Sequence, residues 1–470
     1  MKLTRNWMND NKLLLNSVIK ILKDKVTSGE TSTLKWRIEQ INNIDKLLDD
    51  NKSDIVKALF LDLGKSKIEA LSEILLIKEE IKLIKKNLRS WMRDKKIKSP
   101  FYLFPSSSKV IYEPLGCVLI LGPYNYPLLY LLKPLVNVFS AGNTSIIKPS
   151  EKCIETSNLI KKLVDRYFKN DVLVAIEGNY KQSEKLSSSN FDHIFFTGSS
   201  ETGKLIMKSA AKHLTPLTLE LSGTNPVIIL KDANLKIAAK RIIWGKFFNA
   251  GQSCVAPNHI FVEKTVLTKL TKELKKAIEE FYGKKPIKSE NLSKIESKQF
   301  LKTVEILKKS RKNTKIIFGG LFSKKLSKIS PTLLELNDEN NILIQKEIFS
   351  SLLPIMPVEN YQKAIKIIQK QPKPLAIYIF GGNKNIHKKI SKITSSGSIC
   401  INDVMLPVLI PNLPFGGVGQ SGMGKFHGEE GFKNFSNQKS VTYKSNLLDN
   451  DIRYPPYERV LGIVKLIFKV

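Results

Sequence analysis

The chain has 470 residues, enough for two or three packed domains. Hydrophobic residues make up 42% of it and charged residues 25%, which are ordinary globular values that exclude a largely disordered chain. An excess of lysine and arginine, 76 against 43 acidic residues, gives a net charge of +33. Because the lysines are dispersed along the chain, we interpret them as solvated surface and disfavour specific nucleic-acid binding.

Cysteine usage and the N-terminal sequence bear on the compartment. The chain has four cysteines, whose spacings fit neither a disulfide framework nor a zinc site. We therefore expect a reducing, cytoplasmic location and no metal centre. Charged residues interrupt the short apolar runs of Met1–Lys20, so a signal peptide is not expected. The cysteines are Cys117, Cys153, Cys254 and Cys400.

One uncharged segment, Pro114–Leu132, is nearly long enough to span a bilayer. Its centre, Pro123–Pro127, contains two prolines and an asparagine, which disfavour a spanning helix. The segment is therefore predicted to form a buried strand, a turn and the start of a helix.

The first half of the chain changes from a helical to an alternating pattern. Between Asn11 and about Arg93, apolar residues recur every three or four positions, which predicts a helical layer. Prolines and serines interrupt this pattern at Lys96–Lys109. Short apolar runs then alternate with helical stretches such as Tyr126–Ala141 and Cys153–Phe168, which predicts a parallel sheet with helices on both faces. The predicted strands are Cys117–Leu121, Ser145–Ile147, Val172–Ile176 and His193–Phe196.

Three of these predicted strands end in polar or glycine-bearing turns. The turns are Gly122–Asn125, Lys148–Glu151 and Thr197–Gly203, the last leading into a predicted helix Lys204–Ala211. In parallel sheets, ligands bind beyond the carboxyl ends of the strands. The sequence therefore favours a nucleotide site at this edge.

A second alternating region begins near Thr224 and extends to about Gly422. It contains the predicted strands Val227–Leu230 and His259–Val262, and a strand, helix, strand pattern in Ile379–Asn402. Helices are predicted at Thr265–Tyr282 and Lys298–Lys309. This region is predicted to form a second α/β domain.

Three side chains are candidates for chemistry. Cys254, among small residues in Gly251–Pro257, is a candidate nucleophile, although a buried structural cysteine is favoured when the residue is considered alone. Glu220 lies between apolar residues, where desolvation would raise its pKa toward that of a useful base; the alternative is a salt-bridged or surface glutamate. Asn125 could donate a hydrogen bond to an oxyanion, or could simply form a turn.

The segment Phe195–Gly203 runs from a strand into a glycine-bounded turn. Backbone amides at the start of the following helix favour phosphate binding. Many helix starts with this composition bind nothing, so the motif is weak by itself.

Taken in order, the motifs resemble those of the aldehyde dehydrogenase superfamily over nearly the whole chain. They are Pro123–Pro127, Lys148–Glu151, Phe196–Ser199, Glu220-Leu221, Gly251–Cys254, Glu347–Phe349 and Pro414–Gly417. The class 3 branch, which comprises fatty and aromatic aldehyde dehydrogenases, is the most similar. The segments that indicate this branch are Ala211–Pro216, Cys254–Pro257 and Arg453–Tyr457.

The resemblance implies a Rossmann-like parallel-sheet domain that binds NAD(P), an α/β catalytic domain and a small bridging element that pairs subunits into a homodimer. The implied cofactor domain comprises residues 1–95 and 112–223, and the catalytic domain 224–422. The bridging element comprises 96–111 and 423–457. A C-terminal tail, 458–470, is predicted to form an amphipathic helix that packs near a partner's substrate tunnel; contact with a membrane surface is the alternative.

The resemblance also implies a reaction, the oxidation of an aldehyde to its carboxylic acid. Cys254 would attack the carbonyl carbon to give a thiohemiacetal and then a thioester. Asn125 and the backbone amide of Cys254 would hold the oxyanion. Glu220 would activate the hydrolytic water, although Glu347 is a second candidate base.

The implied cofactor site extends over several motifs. Lys148 and Glu151 would contact the adenine ribose, so that NAD is preferred and NADP is the alternative. Gly198 and Ser199 would lie near the pyrophosphate, and Glu347 with Phe349 near the nicotinamide ribose. The remaining implied cofactor residues are Ser150, Gly203 and Leu221.

The substrate itself is less constrained by sequence. Tyr126 and Phe415 are expected to line an apolar pocket, which suits medium- or long-chain aliphatic or aromatic aldehydes. The chain departs from the family pattern beside the nicotinamide region and at the substrate mouth. The departures are Ser222, Thr224, Ser350, Ser351, Pro407 and Pro411.

Two other enzyme classes remain open. A cysteine acyltransferase or esterase would use the same thiol, donor and base, but would not need the turn Gly198–Gly203. A coenzyme A-acylating dehydrogenase would not need a water-activating carboxylate at Glu220.

Overall fold

The computed structural model describes residues 12–221, 223–449, 453–462 and 465. Its α-helices are α1 (Lys12–Thr27), α2 (Leu34–Asp50), α3 (Lys52–Leu63), α4 (Lys67–Trp91), α5 (Leu129–Ser140), α6 (Ile154–Tyr167), α7 (Tyr180–Ser187), α8 (Ser200–Ala210), α9 (Leu235–Phe247), α10 (Leu267–Tyr282), α11 (Ser297–Asn313), α12 (Ile342–Gln345), α13 (Tyr361–Gln369), α14 (Lys384–Ile393), α15 (Leu406–Leu409) and α16 (Gly428–Asn434).

The strands form four sheets. They are β1 (Lys95–Ile97), β2 (Ser106–Pro114), β3 (Cys117–Leu121), β4 (Thr144–Lys148), β5 (Leu173–Ala175), β6 (His193–Gly198), β7 (Leu217–Leu221), β8 (Pro226–Ile229), β9 (His259–Glu263), β10 (Lys315–Phe318), β11 (Phe322–Ser323), β12 (Lys328–Ile329), β13 (Thr332–Glu335), β14 (Leu352–Val358), β15 (Ala376–Phe380), β16 (Ser398–Ile401), β17 (Gly422–Met423) and β18 (Ser436–Lys444). Short 3₁₀ helices are Glu30–Ser32, Phe101–Leu103, Ala211–His213, Phe248–Gly251, Lys264–Val266, Pro286–Lys288 and Tyr457–Arg459.

The predicted N-terminal helical layer is confirmed as α1 to α4. Helix α4 begins at a capping box, in which the Ser66 hydroxyl accepts from the backbone of Glu69 and the Glu69 carboxylate accepts from the backbone of Ser66. Its buried side includes apolar residues such as Ile77 and Ile81, together with buried glutamates. This helix therefore carries carboxylates into the interior.

The first large sheet has the strand order β17-β7-β6-β3-β4-β5. Strands β3 to β7 are parallel, and β17 pairs antiparallel with β7. The alternation of strands and helices after Cys117 is confirmed, with strand bounds shifted by no more than two residues. Central strand β3 is buried at all five positions because both of its faces are covered.

The second large sheet has the order β10-β13-β14-β9-β8-β15-β16 and is parallel apart from β10. Its residues come from the region predicted to form the second domain. A separate three-stranded antiparallel sheet, β1-β2-β18, pairs Ser436 with Pro114 and Lys444 with Ser106. The sheet assignments place β17, at Gly422–Met423, against the first sheet; the domain boundaries stay a prediction.

Two local predictions are corrected. Helix α8 begins at Ser200, not at Lys204, because the Ser199 side chain accepts a hydrogen bond from the backbone of Thr202 and caps the helix. Gly203 is therefore inside the helix. The helix predicted from Tyr126 begins at Leu129, since the Tyr126–Leu128 backbone forms a turn before it.

The uncharged segment Pro114–Leu132 forms β3, a turn and the first residues of α5, as the sequence predicted. In the part of the chain that is described, no helix is both long enough and apolar enough for a membrane span. Most of the 458–470 tail lies outside the described residues, so its predicted amphipathic helix stays a prediction.

Candidate active site

A cleft of about 1290 Å³ is lined by residues from the carboxyl ends of strands in the first large sheet and by loops that lead into strands of the second. Most of the site residues expected from the sequence lie along it. The expected site residues that line the cleft are Asn125, Lys148, Ser150, Glu151, Gly198, Ser199, Glu220, Cys254, Glu347 and Phe349. The cleft thus brings together residues that are separated by more than 200 positions in the sequence.

The other expected site residues do not line this cleft. Gly203 packs against Leu221, since a Cβ at Gly203 would lie 3.0 Å from a Leu221 methyl carbon. The ring of Phe415 stacks on His427, with 5.2 Å between the centroids. Tyr126 packs edge-on against Tyr130, at 5.9 Å. The cofactor and substrate roles of Gly203, Leu221, Phe415 and Tyr126 stay predictions.

The loop before Cys254 has an unusual backbone. Asn249 and Ala250 have φ values of 52° and 54°, in the left-handed region that non-glycine residues seldom adopt. At Gly251 the φ is 80°, and a Cβ there would lie 2.4 Å from the carbonyl oxygen of Ser350. Only glycine fits this close approach. The loop places Cys254 on the cleft with 6% of its surface exposed.

Asn125 is held directly against this loop. Its side-chain amide donates to the carbonyl of Gln252 at 3.0 Å, and the Asn249 amide donates to the backbone carbonyl of Asn125 at 2.8 Å. On the other side, the Asn225 amide donates to the carbonyl of Cys254 at 2.7 Å. These bonds fix the candidate donor and the candidate nucleophile relative to each other.

The environment of Cys254 disfavours its thiolate in this state. Burial raises the pKa of the thiol to about 12, and the nearby carboxylates of Glu220 and Glu347 act in the same direction. A hydrogen bond with the Tyr130 hydroxyl, 3.7 Å from the sulfur, partly opposes them. The sequence predicts Cys254 as the nucleophile, and a thiol with so high a pKa needs a neighbouring group that removes its proton.

Glu220 is a buried carboxylate with unusual surroundings. It lies on β7, and neither of its side-chain oxygens has a hydrogen-bond partner among the described residues. Burial raises the pKa of Glu220 well above its ordinary value, in the direction expected from its apolar flanks, while Lys425 acts against the shift. A carboxylate with a raised pKa is a stronger base than an exposed one, which suits Glu220 to take a proton.

The opposite end of the cleft is polar. Lys148 at the end of β4 donates to the Glu151 carboxylate at 2.8 Å and to the carbonyl of Pro149 at 3.2 Å. The Lys148 side chain is buried, whereas that of Glu151 is 41% exposed. Beside them, the first turn of α8 follows Ser199, which also lines the cleft. A helix start and a lysine together favour anionic groups.

Glu347 and Phe349 lie on a loop that contacts the Cys254 segment. Phe349 has a φ of 51° and its ring packs edge-on against Tyr124, at 6.2 Å. Next to it, Ser351 donates to the carbonyl of Ala250 at 3.1 Å. This departure from the family pattern thus links the two loops by a side-chain hydrogen bond. Thr224 lines the cleft, and Ser222 lies outside the described residues.

Several residues of the site were missed by sequence reasoning. Lys246 is fully buried, with its pKa lowered by burial to about 7, and it interacts electrostatically with Glu347. Lys425 faces Glu220, and the side chain of Asn249 joins the Cys254 loop to the turn that contains Asn125. A lysine within the apolar stretch Ile242–Phe248 was the available signal for Lys246. Nothing local distinguishes Lys425.

Comparisons with known proteins agree with this geometry. The model of the aldehyde dehydrogenase family matches residues 11–441. The chain belongs to the aldehyde dehydrogenase family. Accordingly, the enzyme is an oxidoreductase that acts on aldehydes and uses NAD or NADP.

The relatives also identify the branch. The chain is 38% identical to the 4,4'-diaponeurosporen-aldehyde dehydrogenase of Staphylococcus aureus, over 94% of this chain and 96% of the relative. It is 38% identical to aldehyde dehydrogenase family 3 member H1 of Arabidopsis thaliana, over 94% and 92%. The enzyme is therefore most similar to the class 3 branch, as predicted.

A solved structure confirms the fold. The substrate-bound state of Staphylococcus aureus AldH matches with a TM-score of 0.93 and 37% identity, over 97% of this chain and 99% of that one. The enzyme therefore has the aldehyde dehydrogenase fold, with the two parallel sheets described above.

Proposed function

We propose that the enzyme oxidises apolar aldehydes, medium- or long-chain aliphatic or aromatic, through a thiohemiacetal and a thioester on Cys254. The observation that carries this proposal is the presence of Cys254, Asn125 and Glu220 on one cleft. Those three side chains supply a nucleophile, a hydrogen-bond donor and a base. The cleft also reaches the polar end at Lys148, where a nucleotide fits.

The first step needs a proton acceptor, since the Cys254 thiol is protonated at neutral pH. Glu220 and Glu347 both interact with the thiol and are the candidate acceptors. The thiolate then forms a C–S bond to the aldehyde carbon, and the carbonyl π electrons move to oxygen. An amide nitrogen carries two N–H groups, so Asn125 can keep its bond to Gln252 and donate a second one to this oxyanion.

A nicotinamide cofactor bound in the cleft would supply an acceptor for the hydride of the former aldehyde carbon. The product of that transfer is a thioester on Cys254. In this proposal Glu220 takes a proton from water as the water attacks the thioester carbon, and the C–S bond then breaks. Its buried oxygens, without protein partners in the described part of the chain, leave the carboxylate available for that water.

The residues of the polar end fit a dinucleotide. The helix start after Ser199 would hold a phosphate, and the Glu151 carboxylate would accept from ribose hydroxyls. A 2′-phosphate would be repelled by Glu151, but Lys148 already neutralises that carboxylate through their ion pair. This supports NAD as the preferred cofactor, with NADP as a usable alternative. Comparison of kcat/KM for the two cofactors tests the preference.

The apolar substrate class is supported by two observations. The rings of Tyr124 and Phe349 line the cleft and pack edge-on against each other, with 6.2 Å between their centroids. The similar Staphylococcus aureus enzyme is named a 4,4'-diaponeurosporen-aldehyde dehydrogenase. A pocket of this kind favours chain length through burial of CH₂ groups, at about 0.8 kcal/mol for each one. The KM should therefore fall along a series of longer aldehydes.

We also propose a homodimer in the cytoplasm. Phe101 and Phe104 lie between β1 and β2 of the small sheet with 78% and 74% of their surfaces exposed, which favours burial against a second copy. The four cysteines are free, and the Cys254 thiol must stay reduced to act. Light scattering of the purified protein tests the dimer, and cell fractionation tests the compartment.

The experiment that tests the proposed function measures formation of reduced nicotinamide with NAD or NADP and a panel of short, long-chain and aromatic aldehydes. Cys254→Ser should abolish turnover. Cys400→Ser, a second buried cysteine on β16, serves as the matched control and should retain it. Turnover that survives Cys254→Ser would contradict the mechanism. Hydrolysis of an ester without any aldehyde oxidation would favour the acyltransferase alternative.

A further inference from the structure

Tyr130 places a hydroxyl group beside the sulfur of Cys254. It is the second residue of α5, with 3% of its surface exposed, and its hydroxyl lies 3.7 Å from the Cys254 Sγ. The ring is held edge-on against Tyr126, at 5.9 Å and 84°. The contact is therefore fixed by packing on both the helix and the ring.

The remaining groups around the sulfur fall into two classes. Glu220 on β7 and Glu347 on its loop oppose a negative charge at Cys254, as does burial itself. The Tyr130 hydroxyl and the backbone N–H of Cys254 favour that charge. Among the residues that the structure describes, the titratable groups that interact with the thiol are Tyr126, Tyr130, Glu220, Glu347 and Tyr378. Of the side chains among them, Tyr130 is the one with a hydrogen bond to the sulfur.

We propose that Tyr130 is a further catalytic residue, whose hydroxyl donates a hydrogen bond to the Cys254 thiolate. While the cysteine is protonated, either group can be the donor. Once the thiol has lost its proton, the sulfur can only accept, so the tyrosine must donate. This inference rests on the proposed role of Cys254 as the nucleophile.

The tyrosine is suited to this role because it keeps its own proton. Burial raises the pKa of Tyr130 well above its ordinary value, and the neighbouring Cys254 and Glu220 add to the shift. A neutral donor stabilises the thiolate without a buried positive charge. Hydrogen bonds to charged groups are also stronger than those between neutral groups. Tyr130 thus offsets part of the effect of the two carboxylates.

Tyr130→Phe removes the hydroxyl and keeps the ring. The rate of alkylation of Cys254 by iodoacetamide follows its thiolate fraction, so it reports the thiol directly. The test measures this rate against pH on the protein without nucleotide, by mass spectrometry of the peptide that contains Cys254. In Tyr130→Phe, alkylation at pH 8 should slow by roughly tenfold to a hundredfold, and the midpoint of the pH profile should rise.

The matched control is Tyr282→Phe, which removes another buried tyrosine hydroxyl, at the end of α10. The pH profile of Cys254 alkylation in Tyr282→Phe should equal that of the wild-type protein. If Tyr130→Phe fails to fold, Tyr130→Leu provides a second variant without the hydroxyl.

An unchanged alkylation profile in a folded Tyr130 variant would overturn the proposal. The proposal would be overturned even if aldehyde turnover fell in that variant, since the hydroxyl would then act on substrate binding and not on the thiol. A failure of the proposed function is distinguished separately, because it appears as turnover that survives Cys254→Ser.

Discussion

The carboxylate of Glu69 accepts a hydrogen bond from the backbone N–H of Asn249, with 2.7 Å between oxygen and nitrogen. The other oxygen of Glu69 accepts from the Ser293 hydroxyl, also at 2.7 Å. Asn249, five positions before Cys254, is one of the residues in that loop with a left-handed backbone. A glutamate of the N-terminal helix α4 therefore supports the strained loop that presents the nucleophile.

Removal of this support should reduce both stability and turnover. Glu69→Ala leaves the buried N–H of Asn249 without its partner, which we expect to cost about 3 kcal/mol of unfolding free energy. Glu69→Gln keeps an accepting oxygen and should recover much of that loss. Denaturant unfolding measures the stability and steady-state kinetics the kcat. Equal losses in the two variants would contradict a hydrogen-bonding role.

A buried ion pair supports the segment between Asn125 and the start of α5, on the other side of the site from the Cys254 loop. Lys65 bonds to Glu73, both side chains are fully buried, and Lys65 also lies over the Tyr126 ring at 4.2 Å. The Glu73 carboxylate further accepts from the backbone N–H groups of Leu128 and Leu129, at 3.1 and 2.9 Å. This arrangement caps the start of α5, next to Asn125.

Lys65→Met should destabilise the protein by about 3–5 kcal/mol, because the carboxylate of Glu73 would remain buried without its counter-charge. The matched control is Lys309→Met, which breaks the exposed pair Lys309–Glu305. That change should alter the unfolding free energy by less than about 0.5 kcal/mol. Thermal or denaturant unfolding compares the two, and similar effects would show that burial does not govern the Lys65 pair.

Asn125→Ala should slow turnover without abolishing it. Loss of one oxyanion donor typically reduces kcat on the order of a hundredfold to a thousandfold. The lost bond to Gln252 should reduce stability by only about 1 kcal/mol. Kinetics at saturating aldehyde, beside thermal unfolding, separate these effects. A kcat that stays near the unmodified value would exclude Asn125 as an oxyanion donor.

Glu220→Gln should block the second half of the reaction. Without a base for the hydrolytic water, the thioester should persist on Cys254, and hydrolysis should slow by roughly a hundredfold or more. Rapid mixing should show a burst of reduced nicotinamide near one equivalent, followed by slow turnover. The same experiment on Glu347→Gln distinguishes which of the two glutamates activates the hydrolytic water. A burst in Glu347→Gln and none in Glu220→Gln would reverse their assigned roles.

Buried histidine should make the fold sensitive to acid. Burial lowers the pKa of His193 to about 3, whereas an unfolded histidine titrates near about 6.5. As pH falls through that range, the unfolded chain takes up a proton that folded His193 does not. Folding stability should then decrease by up to about 1.4 kcal/mol per pH unit from this residue.

His193→Gln should remove that part of the pH dependence, as measured by unfolding free energies between pH 7 and pH 4. The control His213→Gln, at an exposed histidine, should retain the full acid sensitivity. If the unfolding free energy of His193→Gln falls with decreasing pH as steeply as that of the wild-type protein, His193 does not contribute to the acid sensitivity.

Local sequence predicted the strands well and several element boundaries less well. Continuous apolar runs indicated β3, β4 and β6 because a buried parallel strand has no polar face. Polar turns after those strands indicated one edge of the sheet, where Asn125, Lys148 and Ser199 are found together. The start of α8 was missed because the Ser199 cap outweighs the turn propensity of Gly198 and Gly203.

Contacts across long sequence separations could not be predicted. Glu69 and Asn249 are 180 residues apart, and Tyr130 and Cys254 are 124 apart. An apolar ring such as Phe415 satisfies the sequence pattern for a pocket and for a core equally well. Its stacking on His427 follows from how α16 packs against the rest of the chain, which periodicity does not encode.

Short motifs in a fixed order along the chain were enough to identify the family, the reaction class and the residue types at the site. The electrostatic state of those residues could be read only from the folded protein. The pKa of Cys254 reaches about 12 and that of Glu220 is raised because water is excluded from both. Desolvation is a property of the packed interior, in which chain segments far apart in sequence surround each group.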